Sequence, residues 1–338
     1  IQSFNEDKPY NQFILEQLAG DEIEGATSDT QIATTFLALG TFDTIAADRE
    51  VAVYDTLDDI VATTSMAFLG QTLQCARCHD HKFEPFSQKD YHRVLASFES
   101  LNVTGREREV GTDEDRKRYR EAEEAYRRTT LDPQREIEEQ FWAPILERWA
   151  KDGLPEGRKA KLNEKQLALT IEAISLEPEQ RSKEQQNMLE RERNRVRSAV
   201  REVATEEERK TISELEQRLK SLEKDKPQPM MAWVYADSAK PKPSHLRIRG
   251  DVHQRGEVIP FGVPVVLGSE GLPEPRPTSH SSGRRRALAD WITGAQAPLA
   301  ARVMANRVWQ YHFGKGLMED GNNFGVEGGE PTHPAMLE

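Results

Sequence analysis

Both cysteines of the 338-residue chain lie in one short run, Cys75-Ala76-Arg77-Cys78-His79. Two thiols separated by two residues and followed directly by a histidine form the CxxCH signature for covalent attachment of a c-type haem. The thiols would form thioethers with the two vinyl groups of one porphyrin, and the imidazole of His79 would reach the iron as proximal ligand. The sequence therefore predicts haem c held by Cys75, Cys78 and His79.

Three other interpretations of the same run stay open. A Cys75–Cys78 disulfide of thioredoxin type would need a βα junction, whereas this run follows a helix-like segment. A zinc ion could bind Cys75 and Cys78 with two of His79, His81 and His92, although zinc sites usually bring a second ligand pair at a short, regular distance. The third alternative is a pair of reduced cysteines without any cofactor.

The distal side of the predicted haem has no obvious ligand nearby. A small cytochrome domain supplies a methionine some tens of residues after CxxCH, but the next methionine here is Met188, inside a charged segment. His81 is too close to His79 in sequence to reach the opposite face of the same iron. We therefore expect an open distal position or a histidine from later in the chain. The candidate distal or supporting residues are Asp80, His81, Glu84, His245, His253, Arg307 and His312, with His333 as a further histidine.

Composition limits the kind of partner. The net charge is -12, 31% of the residues are charged and 36% are hydrophobic. An acidic chain is a poor ligand for a nucleic-acid backbone, so nucleic acid is excluded as a partner. No apolar run approaches the ~20 residues of a membrane span. A redox partner protein and a cell-surface glycan both remain compatible with this charge.

The ends of the chain bear on its location. It opens on Ile1-Gln2-Ser3 without a methionine or a signal peptide, and it stops after Pro334 in what reads as the first turn of a helix. We expect a segment of a longer precursor. Because covalent haem attachment takes place outside the cytoplasm, the haem hypothesis implies a periplasmic, cell-surface or extracellular protein.

The elements around the motif predict a compact helical domain over residues 1–104. A third helix of this domain, carrying Ile60, Met66 and Leu73, leads the chain to Cys75. The predicted helix signals are Pro9 and Gly20 for the first helix, a capping box at Ser28–Gln31 for the second, caps at Thr56 and Asp59 for the third, and a start at Ser87 for the fourth.

Residues 105–226 predict a charged helical insert. Glu, Arg, Lys and Gln dominate this segment, and Thr205 with Glu208 forms a capping box. Near its end an apolar seam with spacings of three and four is typical of a short coiled coil: Ile212, Leu215, Leu219 and Leu222. We expect a protruding helical hairpin or coiled-coil arm, and one hypothesis is that this arm binds another protein.

Residues 227–338 predict the start of a second, mixed domain. Alternating stretches at 231–236, 245–249 and 263–267 indicate a small β unit after a proline-rich boundary. Two helices follow, one opening at Arg284 and one near Pro298, and the second carries Asn306, Arg307 and His312 among apolar residues. Together with the first two segments, this predicts a mainly α fold: a helical domain carrying CxxCH, a charged helical arm, and a mixed domain with a small β unit plus helices.

Several longer runs carry a family resemblance. Residues 75–85, Cys-Ala-Arg-Cys-His-Asp-His-Lys-Phe-Glu-Pro, and the run Asn306-Arg307-Val308-Trp309-Gln310 are the most specific. With Asn5–Pro9, Gln17–Asp21 and Ser281–Trp291, they resemble the secreted planctomycete cytochrome-associated proteins, which pair the domains of unknown function 1549 and 1553. Glu84 stands where relatives usually have Asp.

The resemblance implies an exported protein, since full-length relatives often have a haem-binding domain upstream and glycan-binding-like modules. The leading hypothesis is a c-type haem protein for electron transfer or haem-dependent redox chemistry linked to an extracellular substrate, for which a polysaccharide is one candidate. Two alternatives are a non-redox polysaccharide-binding or polysaccharide-active module, whose Cys-His cluster is a structural metal or disulfide site, and a scaffold that presents the helical arm. In each case we expect the second domain to pack on the first, with Asn306, Arg307 and His312 facing Asp80, His81 and Glu84.

Overall fold

The computed structural model describes residues 1–40, 43, 45–154, 156, 162–176, 180–241, 243–268, 272–295 and 297–337. The chain is mainly helical, with two small antiparallel sheets. It divides into two compact units: residues 1–113 together with 229–338 form the first, which we call the outer unit, and residues 114–228 form the second, which we call the insert. Among the described helices, none is long and apolar enough to cross a membrane.

The outer unit contains nine α-helices within its described residues. They are α1 (Gln2–Asn5), α2 (Tyr10–Ala19), α3 (Ser28–Ala33), α4 (Thr35–Ala38), α5 (Arg49–Thr64), α6 (Gln88–Leu95), α12 (Arg284–Ile292), α13 (Leu299–Phe313) and α14 (Pro334–Leu337), with α7–α11 in the insert. Short 3₁₀ turns lie at Leu73–Arg77, Ile248–Gly250, Val265–Leu267 and Val326–Gly328, and a π turn at Ser65–Leu69.

The helix that leads to the motif begins earlier than the sequence predicts. The side chain of Asp48 accepts hydrogen bonds from the first-turn amides of α5, at 3.0 and 3.2 Å, so the cap is Asp48 and the prediction of Thr56 and Asp59 is wrong. Thr56 is buried inside the helix, where its hydroxyl donates to the carbonyl of Ala52. The helix ends in the π turn, and Gly70 reverses the chain in a left-handed conformation with φ 59°.

Capping boxes start two other helices near the motif. Ser87 and Asp90 satisfy each other's amides at the start of α6, which confirms the predicted start. The box of α3 uses Thr27 and Thr30, one residue earlier than predicted. These local hydrogen bonds set the first turn of each helix because the first four amides of a helix have no partner within it.

One apolar core holds the outer unit together. Side chains from both ends of the chain meet in it, including Leu18, Phe98 and Tyr91 from the N-terminal part and Leu288 and Ile292 from α12. The two segments that flank the insert therefore fold as one body, which confirms that the C-terminal segment packs on the N-terminal one.

The two sheets are short antiparallel pairs of strands. Strand β1 (Glu107–Glu109) pairs with β2 (Met231–Trp233), which joins the two sides of the insert. Strand β3 (Ser244–Arg247) pairs with β4 (Arg255–Ile259). The predicted strand at 263–267 is wrong: Val265–Leu267 form a 3₁₀ turn, and the amide of Val265 donates to Asp90 Oδ1 at 3.0 Å instead of to a neighbouring strand.

A buried ion cluster links the same two segments. The guanidinium of Arg285, 1% exposed, lies 2.8 Å from Asp21 and Glu22 and 3.2 Å from Asp237, and it also donates to the carbonyl of Leu18. Ser281 Oγ lies 2.6 Å from carboxylate oxygens of both Glu22 and Asp237, although a hydroxyl has only one proton to donate. Burial raises the pKa of Glu22, and the neighbouring guanidinium of Arg285 opposes this rise.

The insert has its own core. Its α-helices are α7 (Asp113–Ile137), α8 (Ala143–Asp152), α9 (Glu164–Ile174), α10 (Lys183–Val203) and α11 (Glu206–Leu222). Ile212 of the predicted seam is 1% exposed, but Leu146, Ile174 and Val196 from three other helices are buried beside it in the same cluster. The insert is therefore a small multi-helix core to which the seam contributes, rather than a two-helix hairpin.

Candidate functional site

The CxxCH run lies on a 3₁₀ turn at the surface of the outer unit. Residues Leu73–Arg77 form this turn, in which Ala76 is fully buried while Cys75, Cys78 and His79 are exposed. Both cysteines are free thiols. The turn therefore presents two sulfur atoms and one imidazole to solvent on a short, anchored segment.

A buried carboxylate anchors that turn to α5. Asp58 accepts hydrogen bonds from Gln74 Nε2 at 2.7 Å, from Arg77 Nη1 at 3.1 Å and from the Tyr91 hydroxyl at 2.7 Å. Arg77 also pairs with Asp55 at 2.8 Å. Burial and the neighbouring carboxylate of Asp58 raise the pKa of Tyr91, which keeps its hydroxyl protonated as a donor. Arg77, which directly precedes Cys78, thus fixes the motif through ion pairs with two carboxylates of α5.

A second anchor comes from the β3–β4 hairpin. Gln88 Nε2 donates to the carbonyls of Arg77 at 2.9 Å and Arg247 at 2.7 Å, so it ties the motif to the end of β3. The backbone of Gly250 packs directly on Cys78, since a Cβ at Gly250 would lie 2.3 Å from the sulfur. Gly250 also has φ 76°, and only glycine adopts this conformation at no cost.

The hydrogen bond of His79 fixes which ring nitrogen is free. Its Nδ1 lies 2.7 Å from the carbonyl oxygen of Asp80. A carbonyl oxygen only accepts, so Nδ1 carries a proton, and in the neutral ring Nε2 then keeps its lone pair. Histidine ligands of metals commonly hold their ring in this way, with the other nitrogen on a backbone carbonyl.

The other two histidines of the zinc hypothesis are already engaged. His81 Nδ1 accepts from the amides of Glu84 at 2.9 Å and Phe83 at 3.2 Å, while its Nε2 lies 3.3 Å from the hydroxyl of Thr72. His92, fully buried, donates from Nδ1 to Gln88 O at 2.9 Å and accepts at Nε2 from the amide of Arg247 at 3.0 Å. To bind zinc, either ring would have to give up these bonds. Within the described parts of the chain, no three side chains of His, Cys, Asp or Glu gather as a metal site.

Asp80 and Glu84 support the loop after the motif. Asp80 Oδ1 accepts from the amide of Gln88 at 2.8 Å, and its carbonyl holds His79. Glu84, 6% exposed, accepts at 2.6 Å from the amide of Val326 in the C-terminal segment. Asp80 is thus next to the proposed ligand, whereas Glu84 joins the motif loop to the other end of the chain.

Two further predicted histidines, His245 and His253, form hydrogen bonds with residues outside the motif. His245 Nδ1 lies 3.1 Å from Gly256 O within the β3–β4 pair. His253 pairs with Asp48 at 2.7 Å and Glu50 at 3.4 Å, and the hydrogen bond with Asp48 raises its pKa. His253 therefore binds the residues that start α5, and neither histidine forms a described hydrogen bond with Cys75, Cys78 or His79.

The polar residues of α13 also have other partners than expected. Arg307 donates to the carbonyls of Ala67 at 2.6 Å and Met66 at 3.1 Å, at the π turn that precedes the motif. Asn306 is fully buried and bonds the backbone of Met318, and exposed His312 bonds Val308 O in its own helix. The expectation that these three side chains face Asp80, His81 and Glu84 is therefore wrong in its contacts. The reason is that the open carbonyls of the π turn provide the acceptors for Arg307.

Several residues that position the motif were missed by sequence reasoning. Asp58, Gln74 and Gln88 form the anchors described above, and none lies within a motif that identifies it. Their partners in these anchors are 11 to 159 residues away in the chain, as for Gln88 with Arg77 and with Arg247. The role of Asp58 as acceptor for Gln74, Arg77 and Tyr91 becomes visible only when α5, the motif turn and α6 are packed together.

Comparison with known families identifies two segments of the chain. Residues 1–103 match the family PSCyt2, a protein of unknown function (DUF1549), and residues 284–338 match the family PSD1, a protein of unknown function (DUF1553). The chain thus carries the two paired domains that its motifs resemble. No curated protein and no solved structure matches it.

Proposed function

We propose that this pair of domains forms a c-type haem protein, in which Cys75 and Cys78 hold the porphyrin covalently and His79 ligates the iron. The observation that carries the proposal is the state of the three donors. Both thiols are free and exposed, and His79 has its Nε2 lone pair available. This donor set fits the chemistry of haem c attachment.

The anchors of the motif suit such a role. Arg77 and Gln74 bind Asp58, and Gln88 holds the carbonyl of Arg77, so the backbone between the thiols is fixed on both sides. A fixed backbone keeps the two sulfur atoms and the imidazole at constant separations. The carbonyl of Asp80 then orients the His79 ring.

The group itself would supply a one-electron redox couple when bound. The residues around the haem would determine which partner molecules can exchange electrons with it. Because the three donors are at the surface, a partner can approach closely, and a net charge of -12 favours association with a positively charged partner. We therefore propose electron transfer with a cationic redox protein, or redox chemistry on an extracellular substrate, as the function.

Two further proposals accompany this function. The protein acts outside the cytoplasm, since haem is attached there. The insert, residues 114–228, serves as a separable helical arm for a protein partner, which its own apolar core and its charged surface support.

The test is covalent haem on the protein produced with the haem-attachment machinery. A pyridine haemochrome spectrum and haem staining on a denaturing gel are measured for the wild type and for the double variant Cys75→Ser/Cys78→Ser. We expect the wild type to stain and the double variant to lose the stain. His312→Gln is the matched control, since it removes an exposed histidine with the same Nδ1-to-carbonyl bond, and it should keep the stain.

Two results would overturn the proposal. One is a wild type that carries no covalent haem although the attachment machinery is present. The other is haem stain that persists in the double variant. Elemental analysis showing one zinc per chain, lost in the double variant, would establish the metal alternative instead.

A further inference from the structure

A cavity of about 360 Å³ lies within the insert, lined by residues of α10, α11 and the end of α7. Arg193 and Arg197 lie one turn apart on α10, and Glu216 and Lys220 lie one turn apart on α11, so each pair is on one face of its helix. Cavities of roughly 300–1,000 Å³ are the usual size for small-molecule sites. The packing of these helices therefore leaves room for a small ligand between charged side chains.

Two N–H groups in the wall of this cavity have no acceptor. Trp142 ends the π turn Glu138–Trp142 and is 3% exposed, and its buried Nε1–H group has no hydrogen-bond partner among the described residues. The buried Nε–H group of Arg197 lacks a partner there as well. Buried donors are rarely left without an acceptor, because the missing hydrogen bond costs free energy. A ligand that brings acceptor oxygens to this wall would satisfy both groups.

Further donors lie beside these two. The guanidinium of Arg193 lies 5.6 Å from the centroid of the Trp142 ring, a distance at which a cation is attracted to the face of an aromatic ring. One of its nitrogens pairs with Glu138 at 3.0 Å. Asn194 and Lys220 are exposed at the cavity, and neither side chain forms a hydrogen bond or ion pair with a residue that the structure describes. Both of these unpaired side chains can donate hydrogen bonds.

Positive charge predominates among the lining residues. Three of them are cations, Arg193, Arg197 and Lys220, whereas Glu216 is the one carboxylate among the described residues of the wall. Glu216 is 13% exposed and already binds two guanidiniums, those of Arg197 and of Arg201, the latter at 2.8 Å. This acidic side chain is therefore neutralised by its own partners, and the remaining charge of the wall favours an anion.

We propose that this cavity binds the phosphate group of a small phosphate monoester. Such a group has three terminal oxygens and a charge of about -1.5 to -2 at pH 7, so it offers more acceptors to this wall than a carboxylate does. Trp142, Arg197 and Lys220 donate to the phosphate oxygens. The apolar side chains of Ile137 and Leu219 cover the body that the phosphate carries. This site goes beyond the proposed function, since none of its residues takes part in haem attachment.

The test is calorimetric titration of the full chain with phenyl phosphate at low ionic strength. Inorganic phosphate lacks the apolar body and phenol lacks the charge, so both should bind more weakly than phenyl phosphate. Lys220→Gln removes an exposed cation of the wall, and we expect affinity for phenyl phosphate to fall about three- to fivefold, the effect of one solvent-exposed charge contact. Lys210→Gln is the matched control, because it removes the same charge from an exposed position of the same helix that does not line the cavity. It should bind as the wild type does.

A second variant tests the buried donor. Trp142→Phe keeps an aromatic ring in the core and removes the Nε1–H group, so affinity for phenyl phosphate should fall about tenfold, in line with the loss of a hydrogen bond to a charged group. Trp149→Phe is its control, because Trp149 belongs to the same buried cluster but does not line the cavity. Thermal unfolding of each variant shows whether it is folded.

Three results would overturn the proposal. They are a wild type that does not bind phenyl phosphate, binding of phenol as tight as that of phenyl phosphate, and equal losses in Lys220→Gln and Lys210→Gln. A loss in Lys220→Gln that Lys210→Gln does not share supports it. These outcomes do not depend on haem stain, so the two proposals can fail separately.

Discussion

Replacing Arg285 by methionine should be the most damaging single change in the outer unit. The substitution keeps a long side chain at this buried position and removes its positive charge. It leaves Asp21, Glu22 and Asp237 without their shared cation and the carbonyl of Leu18 without its donor. The side chains of Glu22 and Asp237 are 1% and 0% exposed, so water cannot replace the guanidinium.

The expected magnitude follows from that burial. Removing one partner of a buried ion pair typically costs about 3–5 kcal/mol, since the remaining charge is left uncompensated. A domain of this size has a free energy of unfolding of about 5–15 kcal/mol, so the loss is a large fraction of the total. The neighbouring Arg286 provides a matched control. Its i,i+4 pair with Asp290 is solvent-exposed, and Arg286→Ala should cost less than about 1 kcal/mol.

The assay is urea unfolding of both variants and the wild type, followed by circular dichroism at pH 7 and at pH 5. Without the cation, the pKa values of the buried carboxyls in the folded state rise above their unfolded values. The folded state then binds more protons than the unfolded state, so the stability of Arg285→Met falls as the pH rises and recovers as the pH is lowered. A deficit below about 1 kcal/mol at pH 7, or one that does not shrink at pH 5, would refute the role assigned to the cluster.

Three further predictions follow from the outer unit. Burial lowers the pKa of His92, so the free energy of unfolding should fall as the pH drops below the unfolded pKa of about 6.5. His92→Gln should remove this part of the pH dependence. A stability difference between the variant and the wild type that stays the same from about pH 7.5 to pH 5 would contradict the prediction. Gly70→Ala should cost more than Gly25→Ala in urea unfolding, because both glycines have positive φ but only at Gly70 would a Cβ lie 2.7 Å from Phe324; strain alone costs about 1–2 kcal/mol, and equal losses would exclude the clash. Replacing residues 114–228 by a short Gly/Ser linker should leave a cooperative thermal transition, since Glu109 already pairs with Met231, and loss of that transition would show that the outer unit needs the insert.

The helix starts show how far local patterns reach. The predicted start of α6 at Ser87 and the capping box at Thr205 and Glu208 are confirmed, because a cap satisfies amides only three residues away. The same reasoning was wrong at α5, where Thr56 and Asp59 resemble caps but lie inside a helix that Asp48 starts. Thr56 can do so because its hydroxyl finds an acceptor one turn back, at Ala52.

The β unit shows a different limit. Residues 231–233 and 244–247 form strands as the alternating pattern predicts, because each finds a partner strand. Residues 265–267 have a similar apolar pattern but no partner, and the amide of Val265 is bound by Asp90 instead. A strand depends on hydrogen bonds to a neighbour, and a single sequence does not state which neighbour will be present.

The sequence by itself determined the mainly helical class and the caps at Ser87 and Thr205, since residue type and spacing within a few positions specify both, and it places Cys75, Cys78 and His79 side by side as the donors that we propose. The tertiary structure alone decided what surrounds them. Asp58 gathers its donors from 16 to 33 residues away, and Gln88 joins the carbonyls of Arg77 and Arg247. Such partners are chosen by how helices pack and by which polar groups burial leaves unpaired, and both depend on the whole fold.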